Sequence, residues 1–231
     1  MIHQAYINDD IDAYIVGSDY TKETMIKKGV QEGRVYPYGI PVRKSFLDYS
    51  GTVKKDYNVD LSVLLMGGSM GSSQLEKALQ SLITTEHYLK IIVVCGNNEK
   101  MKKRIEKLVE EDNGAKKIEI YGYVEHIPEL MDKADVIITK PGGLTTTESI
   151  IKNIPMIVPY YIPGQEEENA DFLVETGMAI KVEKIKDLSS VVDHLVMNKD
   201  ILDSMAKNMS EVAKEQSIEM IIKLGNELIN V

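Results

Sequence analysis

From residue 61 onward, short apolar runs alternate with helical patterns, and no other feature constrains the fold as tightly. The runs 61–66, 91–95, 118–121, 136–139, 156–159 and 178–182 are dominated by Val, Ile, Leu and Met and carry little charge. Stretches with helical spacing follow them at about 74–83, 99–111, 127–133, 145–152 and 165–176, and further helices fill the rest. Strands apolar on both faces, each followed by a helix, indicate a parallel sheet covered on both sides. Right-handed crossovers then give a doubly wound, Rossmann-like α/β domain, with its ligand beyond the carboxyl ends of the strands.

The first sixty residues lack this rhythm. Residues 13–17 and 35–38 read as strands, 22–28 as a short helix, 39–43 as a turn, and 44–60 as polar and linker-like. One helix and two strands cannot bury a core of their own. The expected organisation is an incomplete fragment of a second α/β domain at 1–45, a linker at 46–60 and the doubly wound domain at 61–231. The fragment's open sheet edge is expected to be mobile or covered in a homodimer through residues 1–45.

Composition narrows the function classes. An apolar content of 43% is that of a globular domain, and the apolar runs are far too short to span a bilayer. No basic region precedes an apolar core at the amino terminus, so no secretory signal is expected. The single cysteine, Cys95, cannot form an internal disulfide, which makes the cytoplasm the default compartment. A net charge of −9 argues against a general nucleic-acid binder. The four histidines show no metal-ligand spacing with cysteines or carboxylates, so no metal is expected. His87 and His194 fall in helical, partly apolar segments and read as structural. Neither a nucleophile elbow nor a Cys–His pattern is visible.

The chemistry gathers in the loops after the strands. Gly67-Gly68-Ser69-Met70-Gly71 leaves the first strand and enters a helix, a shape that suits either a tight turn or a backbone approach to phosphate. No lysine follows, so it is not a nucleoside-triphosphatase loop. Lys140-Pro141-Gly142-Gly143 forms a second such turn after the fourth strand, with Lys140 either solvated or paired with a phosphate. Thr145 and Glu148 have capping-box spacing, so Glu148 either satisfies a helix end or accepts two hydrogen bonds from a ribose diol. Gln165 and Glu166 open a helix after Pro163-Gly164, where acidic residues favour the dipole and where a carboxamide beside a carboxylate can also grip sugar hydroxyls. Arg43, just past a Gly-Ile-Pro turn, is either a surface arginine or a phosphate clamp.

Taken in order, 12–20, 39–43, Gly67 to Gly71, 121–125, 139–143 with Glu148, and 163–169 resemble the donor half of the GT-B glycosyltransferases. More narrowly, the chain resembles the family of bacterial diacylglycerol glucosyltransferases and plant monogalactosyldiacylglycerol synthases, which also includes the MurG-type N-acetylglucosaminyltransferases. Its Lys-Pro-Gly-Gly and Pro-Gly-Gln-Glu segments favour the glycolipid branch.

The resemblance implies that Arg43 and the loop of Gly67, Gly68, Ser69, Met70 and Gly71 hold the diphosphate of a UDP-sugar. It implies that main-chain groups of Val124 read the uracil edge and that Glu148 binds the ribose hydroxyls. Gln165 and Glu166 would contact the hexose, with Lys140, Gly142, Gly143, Thr145 and Asn169 completing the grip. The implied reaction is inverting hexosyl transfer from UDP-glucose or UDP-galactose to a lipid such as diacylglycerol, with no obligatory metal and no cofactor. Such a chain would work in the cytoplasm, at the inner face of the membrane. The family's general base belongs to an amino-terminal domain of which this sequence carries only the tail, and His3 in that tail is not taken as the base. The chain is therefore expected to be incomplete for catalysis alone. A donor-binding subunit that needs an acceptor-domain partner, and MurG-like transfer, stay open beside this reading. A sugar-nucleotide epimerase would need catalytic acids from two domains, and the sequence offers no support for it.

Overall fold

The computed structural model describes residues 7–8, 10–47, 59–67, 72–111, 116–213 and 217–229. Six parallel strands form one sheet: β3 (Leu61–Met66), β4 (Leu89–Val94), β5 (Lys117–Tyr121), β6 (Val136–Ile138), β7 (Met156–Val158) and β8 (Ala179–Lys181). Their spatial order is β5-β4-β3-β6-β7-β8. The chain thus runs outward from β3 to one edge, returns to pair β6 with β3, and runs outward again. That reversal creates a topological switch point between β3 and β6, the position at which open α/β sheets bind their ligands.

Period-two alternation supplies two separate cores. Leu61, Val63 and Leu65 of β3 face one layer together with Ile91, Val93 and Ile138, while Leu64, Ile92, Ile137, Met156 and Val158 face the other. The first layer is closed by α3 (Ser72–Ile83), α4 (Glu99–Glu111) and α8 (Leu188–Met197). The second is closed by α5 (Ile127–Asp132), α6 (Gly143–Ile151) and α7 (Gln165–Glu175). The helix α9 (Lys199–Ala213) reaches both, with Leu202 and Met205 in the first and Met209 in the second. The doubly wound architecture expected from the sequence is the one observed.

The amino-terminal fragment holds β1 (Tyr14–Ile15) and β2 (Val35–Tyr36), paired in parallel, and α1 (Asp19–Lys27). Its helix starts earlier than the sequence periodicity suggests, because Ser18 caps it by accepting the Thr21 N–H at 3.3 Å. Contrary to the expectation that one helix and two strands cannot bury a core of their own, Val16, Met25, Val30 and Val35 form a small one. The fragment leans on the larger domain through the Tyr20 and Phe172 rings, 5.5 Å apart, and through α10 (Ile218–Ile229), at whose start the Ser217 N–H donates to the Tyr38 carbonyl at 2.9 Å.

Two local readings need correction. The stretch read as linker begins with a helical turn, α2 (Lys44–Leu47), whose Phe46 is buried in the second core. A Phe-Leu pair in a largely polar run escapes a pattern search, yet the burial of Phe46 is what joins the segment to the sheet domain. His87 is not helical: it lies between α3 and β4, with Nδ1 3.6 Å from the Asp60 carboxylate.

Candidate functional site

The turns singled out in the sequence meet at the switch point. Gly67 directly follows β3 and is buried, and the turn from Lys140 to Gly143 follows β6, the neighbour of β3 in the sheet. Gly68, Ser69, Met70 and Gly71 lie outside the described residues, as does His3. α6 opens directly from the second turn, with Gly142 as its N-cap and no side chain capping it. Its first-turn amides are therefore left for water or for an anion, on the positive end of the helix dipole.

This start corrects the capping-box reading. Thr145 stands inside the first turn of α6 rather than before it, so Glu148 lies in the helix body and cannot close a box at the terminus. Glu148 is half-buried. Burial raises its carboxyl pKa above the usual range, and the Arg43 guanidinium draws it back part of the way. Arg43 itself is exposed, with its guanidinium carbon 5.3 Å from the centre of the Phe46 ring. A half-buried carboxylate one helical turn from uncapped amides is placed to accept hydrogen bonds from a polyhydroxyl ligand.

The third loop laces the other two together. Gly164, with φ at +108°, makes the reversal into α7 that only glycine adopts freely. Glu166, in the first turn of α7, is ion-paired with Lys140, and its other oxygen accepts the Ile162 N–H at 3.0 Å. Their side chains are only 18% and 14% exposed. Asn169 donates to the Pro141 carbonyl at 2.8 Å, which fixes the second turn. Tyr160, two residues past β7, donates to the Gly67 carbonyl at 3.2 Å. Sequence reading missed Tyr160. The available signal was an aromatic residue just beyond the carboxyl end of a strand, where ligand loops begin.

Not every expected residue joins this cluster. Gln165 is exposed at the start of α7. Val124 stands after β5, two strands from the switch point, and packs on the second core. Beside it the Tyr121 and His126 rings meet edge-on, 6.2 Å apart. Cys95 is buried, and burial pushes its thiol up to about 11, so it is neutral and unreactive at ordinary pH. No helix among the described residues is long and apolar enough to cross a membrane.

The Lys140–Glu166 pair carries a prediction. Lys140→Met leaves a largely buried carboxylate with one amide partner, so the chain should lose about 1–3 kcal/mol in urea unfolding. Adding Glu166→Gln should restore most of that loss. A double-mutant cycle with no coupling would show the pair to be incidental.

Residues 62–221, well over half of the chain, match the model of the glycosyltransferase family 28 C-terminal domain. The chain belongs to glycosyltransferase family 28. Residues 1–42 of this family 28 chain match a second model, that of monogalactosyldiacylglycerol (MGDG) synthase. Among curated relatives, the processive diacylglycerol beta-glucosyltransferase of Bacillus subtilis (strain 168) is 34% identical over 227 residues, covering 96% of this chain and 59% of the relative. The family 28 chain thus spans less than two thirds of that relative's length. Among solved structures, Acinetobacter baumannii MurG superposes with a TM-score of 0.61 at 21% identity, over 87% of this chain and 69% of that one. The S. aureus MnaA–UDP co-structure superposes with a TM-score of 0.65 at 15% identity, over 85% and 55%. At these identities the likeness is one of fold, and it agrees with the GT-B type of donor half.

Proposed function

We propose that this family 28 chain is the donor-binding half of a hexosyltransferase that passes glucose or galactose from UDP to a lipid acceptor such as diacylglycerol. The observation that carries the reading is the convergence of Gly67, the uncapped start of α6 and Glu148 at the switch point of the sheet. The names of the relatives, diacylglycerol glucosyltransferase above all, support the lipid acceptor. The UDP in the MnaA co-structure supports the nucleotide.

In this reading the diphosphate lies across the two glycine turns, with Arg43 as its cation. Glu148 takes the ribose hydroxyls, and main-chain groups at Val124 take the uracil edge. Gln165 and Glu166 face the hexose, with Lys140 holding Glu166 in place. An acceptor hydroxyl attacks the anomeric carbon from the face opposite the diphosphate. The new C–O bond forms as the bond to the β-phosphate oxygen breaks, so the configuration inverts and UDP leaves. The hydroxyl's proton passes to a general base. The chain's own contribution is to position the donor and to stabilise the charge that builds on the departing diphosphate, by amides and Arg43. No metal is needed for that.

Isothermal titration tests the reading. The folded chain should bind UDP with a dissociation constant between about 1 μM and 1 mM, the ordinary range for an enzyme's substrate, and EDTA should leave it unchanged. Folded protein that does not bind UDP would overturn the proposal.

A further inference from the structure

We infer that α4 carries a docking face for an anionic lipid surface, formed by Lys100, Lys103, Arg104 and Lys107. The inference takes from the proposed function only the lipid acceptor, which brings such a chain to a bilayer. Spacings of i, i+3, i+4 and i+7 place the four cations in one stripe along the helix. All four are exposed, while Met101 and Ile105, on the other side, are buried in the first core. Glu106 lies on the flank of the stripe, 3.8 Å from Lys102, and Glu111 closes its carboxyl end, 3.9 Å from Lys107. Among the described residues, Lys100, Lys103 and Arg104 make no ion pair.

Such a stripe stands out in a chain whose net charge is −9. Like charges at these spacings repel one another, so the helix by itself gains nothing from them. Phosphate headgroups supply what the folded chain does not, a plane of anions that several side chains of one stripe meet at once. The helix follows β4 and so begins at the end of the sheet where the glycine turns lie. Beside its first turn stands Tyr123, 62% exposed. A Cβ on the preceding Gly122 would lie 3.8 Å from both Glu99 Oε1 and Lys102 Cδ, which places the aromatic residue next to the basic helix. A ring with a polar tip suits the headgroup layer, where one end is apolar and the other wet.

Sedimentation with vesicles tests the inference. The chain should bind vesicles that mix phosphatidylglycerol with phosphatidylcholine, leave them as salt rises, and pass over phosphatidylcholine alone. Each cation at such a surface is worth about 5-fold in affinity, so Lys103→Gln with Arg104→Gln should weaken binding roughly 25-fold. Lys184→Gln with Lys223→Gln changes the net charge equally, on exposed residues elsewhere, and should have little effect. Thermal unfolding should show both variants folded, and calorimetry should show their UDP affinity unchanged. No preference for anionic vesicles, an equal loss in both variants, or tighter binding to a short DNA duplex than to vesicles overturns the inference. None of these outcomes touches the donor-site reading, which fails instead if the unaltered chain does not bind UDP.

Discussion

Glu148→Gln is expected to make the chain harder to unfold and worse at holding UDP. The carboxylate is half-buried, and burial raises its pKa above the ordinary 4.5, with Arg43 offsetting only part of the rise. The folded state therefore keeps the Glu148 proton to higher pH than the unfolded chain does. Stability contributed at this site falls as pH rises from about 4.5 through the higher folded value. Below that window Gln and protonated Glu are nearly equivalent. Above it the ionised group is the costlier occupant, and the Gln variant should have the higher urea midpoint. Ligand binding should move the opposite way. A charge-assisted hydrogen bond contributes about 1.5–3 kcal/mol, so losing the anion should raise the UDP dissociation constant roughly 10- to 100-fold. Urea titrations in acid and at neutral pH, beside calorimetry with UDP, check both halves. A Gln variant that is less stable at neutral pH would refute the assigned cost of burying the anion. Unaltered UDP affinity would remove Glu148 from the site.

The second large effect concerns Phe46. Its ring is 2% exposed and sits in the core beneath the sheet, among residues such as Leu64, Ile137 and Met156. Phe46→Ala should cost about 3–5 kcal/mol, the usual range when a buried aromatic ring is removed and leaves a cavity. The same change removes the ring beneath the Arg43 guanidinium and frees that side chain. UDP affinity should therefore fall along with stability, because the cation that tempers Glu148 loses its support. Phe46→Leu, which refills most of the space without a π face, separates the two effects: much of the stability should return, and less of the affinity. A loss below about 1 kcal/mol in the Ala variant would mean that residues 44–47 behave as the linker their polarity suggests.

Glu148 and Phe46 mark two ways in which local sequence falls short. Thr145-x-x-Glu148 satisfies the spacing of a capping box, yet α6 starts at Gly143 and takes Thr145 into its first turn. Spacing alone does not say where a helix begins when two glycines precede it, because an uncapped start is stable if its amides have another use. Phe46 stands beside Leu47 among Arg, Lys, Ser and Asp, and nothing in that short pattern marks it as core. Its burial depends on a cavity formed by residues far along the chain.

What the sequence determined by itself is the class of the fold and the end of the sheet at which the glycine turns gather. Apolar strands followed by helices can bury both faces only as a parallel, doubly wound sheet, and the glycine turns all follow strands. That information is local, because the period of apolar residues sets each element's burial before any contact is made. Tertiary structure decided which turns meet. Pairing of β3 with β6 brings Gly67 beside the Lys140 to Gly143 turn, and the return of the next loop brings Glu166 to Lys140, Asn169 to Pro141 and Tyr160 to Gly67. Those contacts join residues distant in sequence, so no local periodicity records them, and they turn three separate loops into one site.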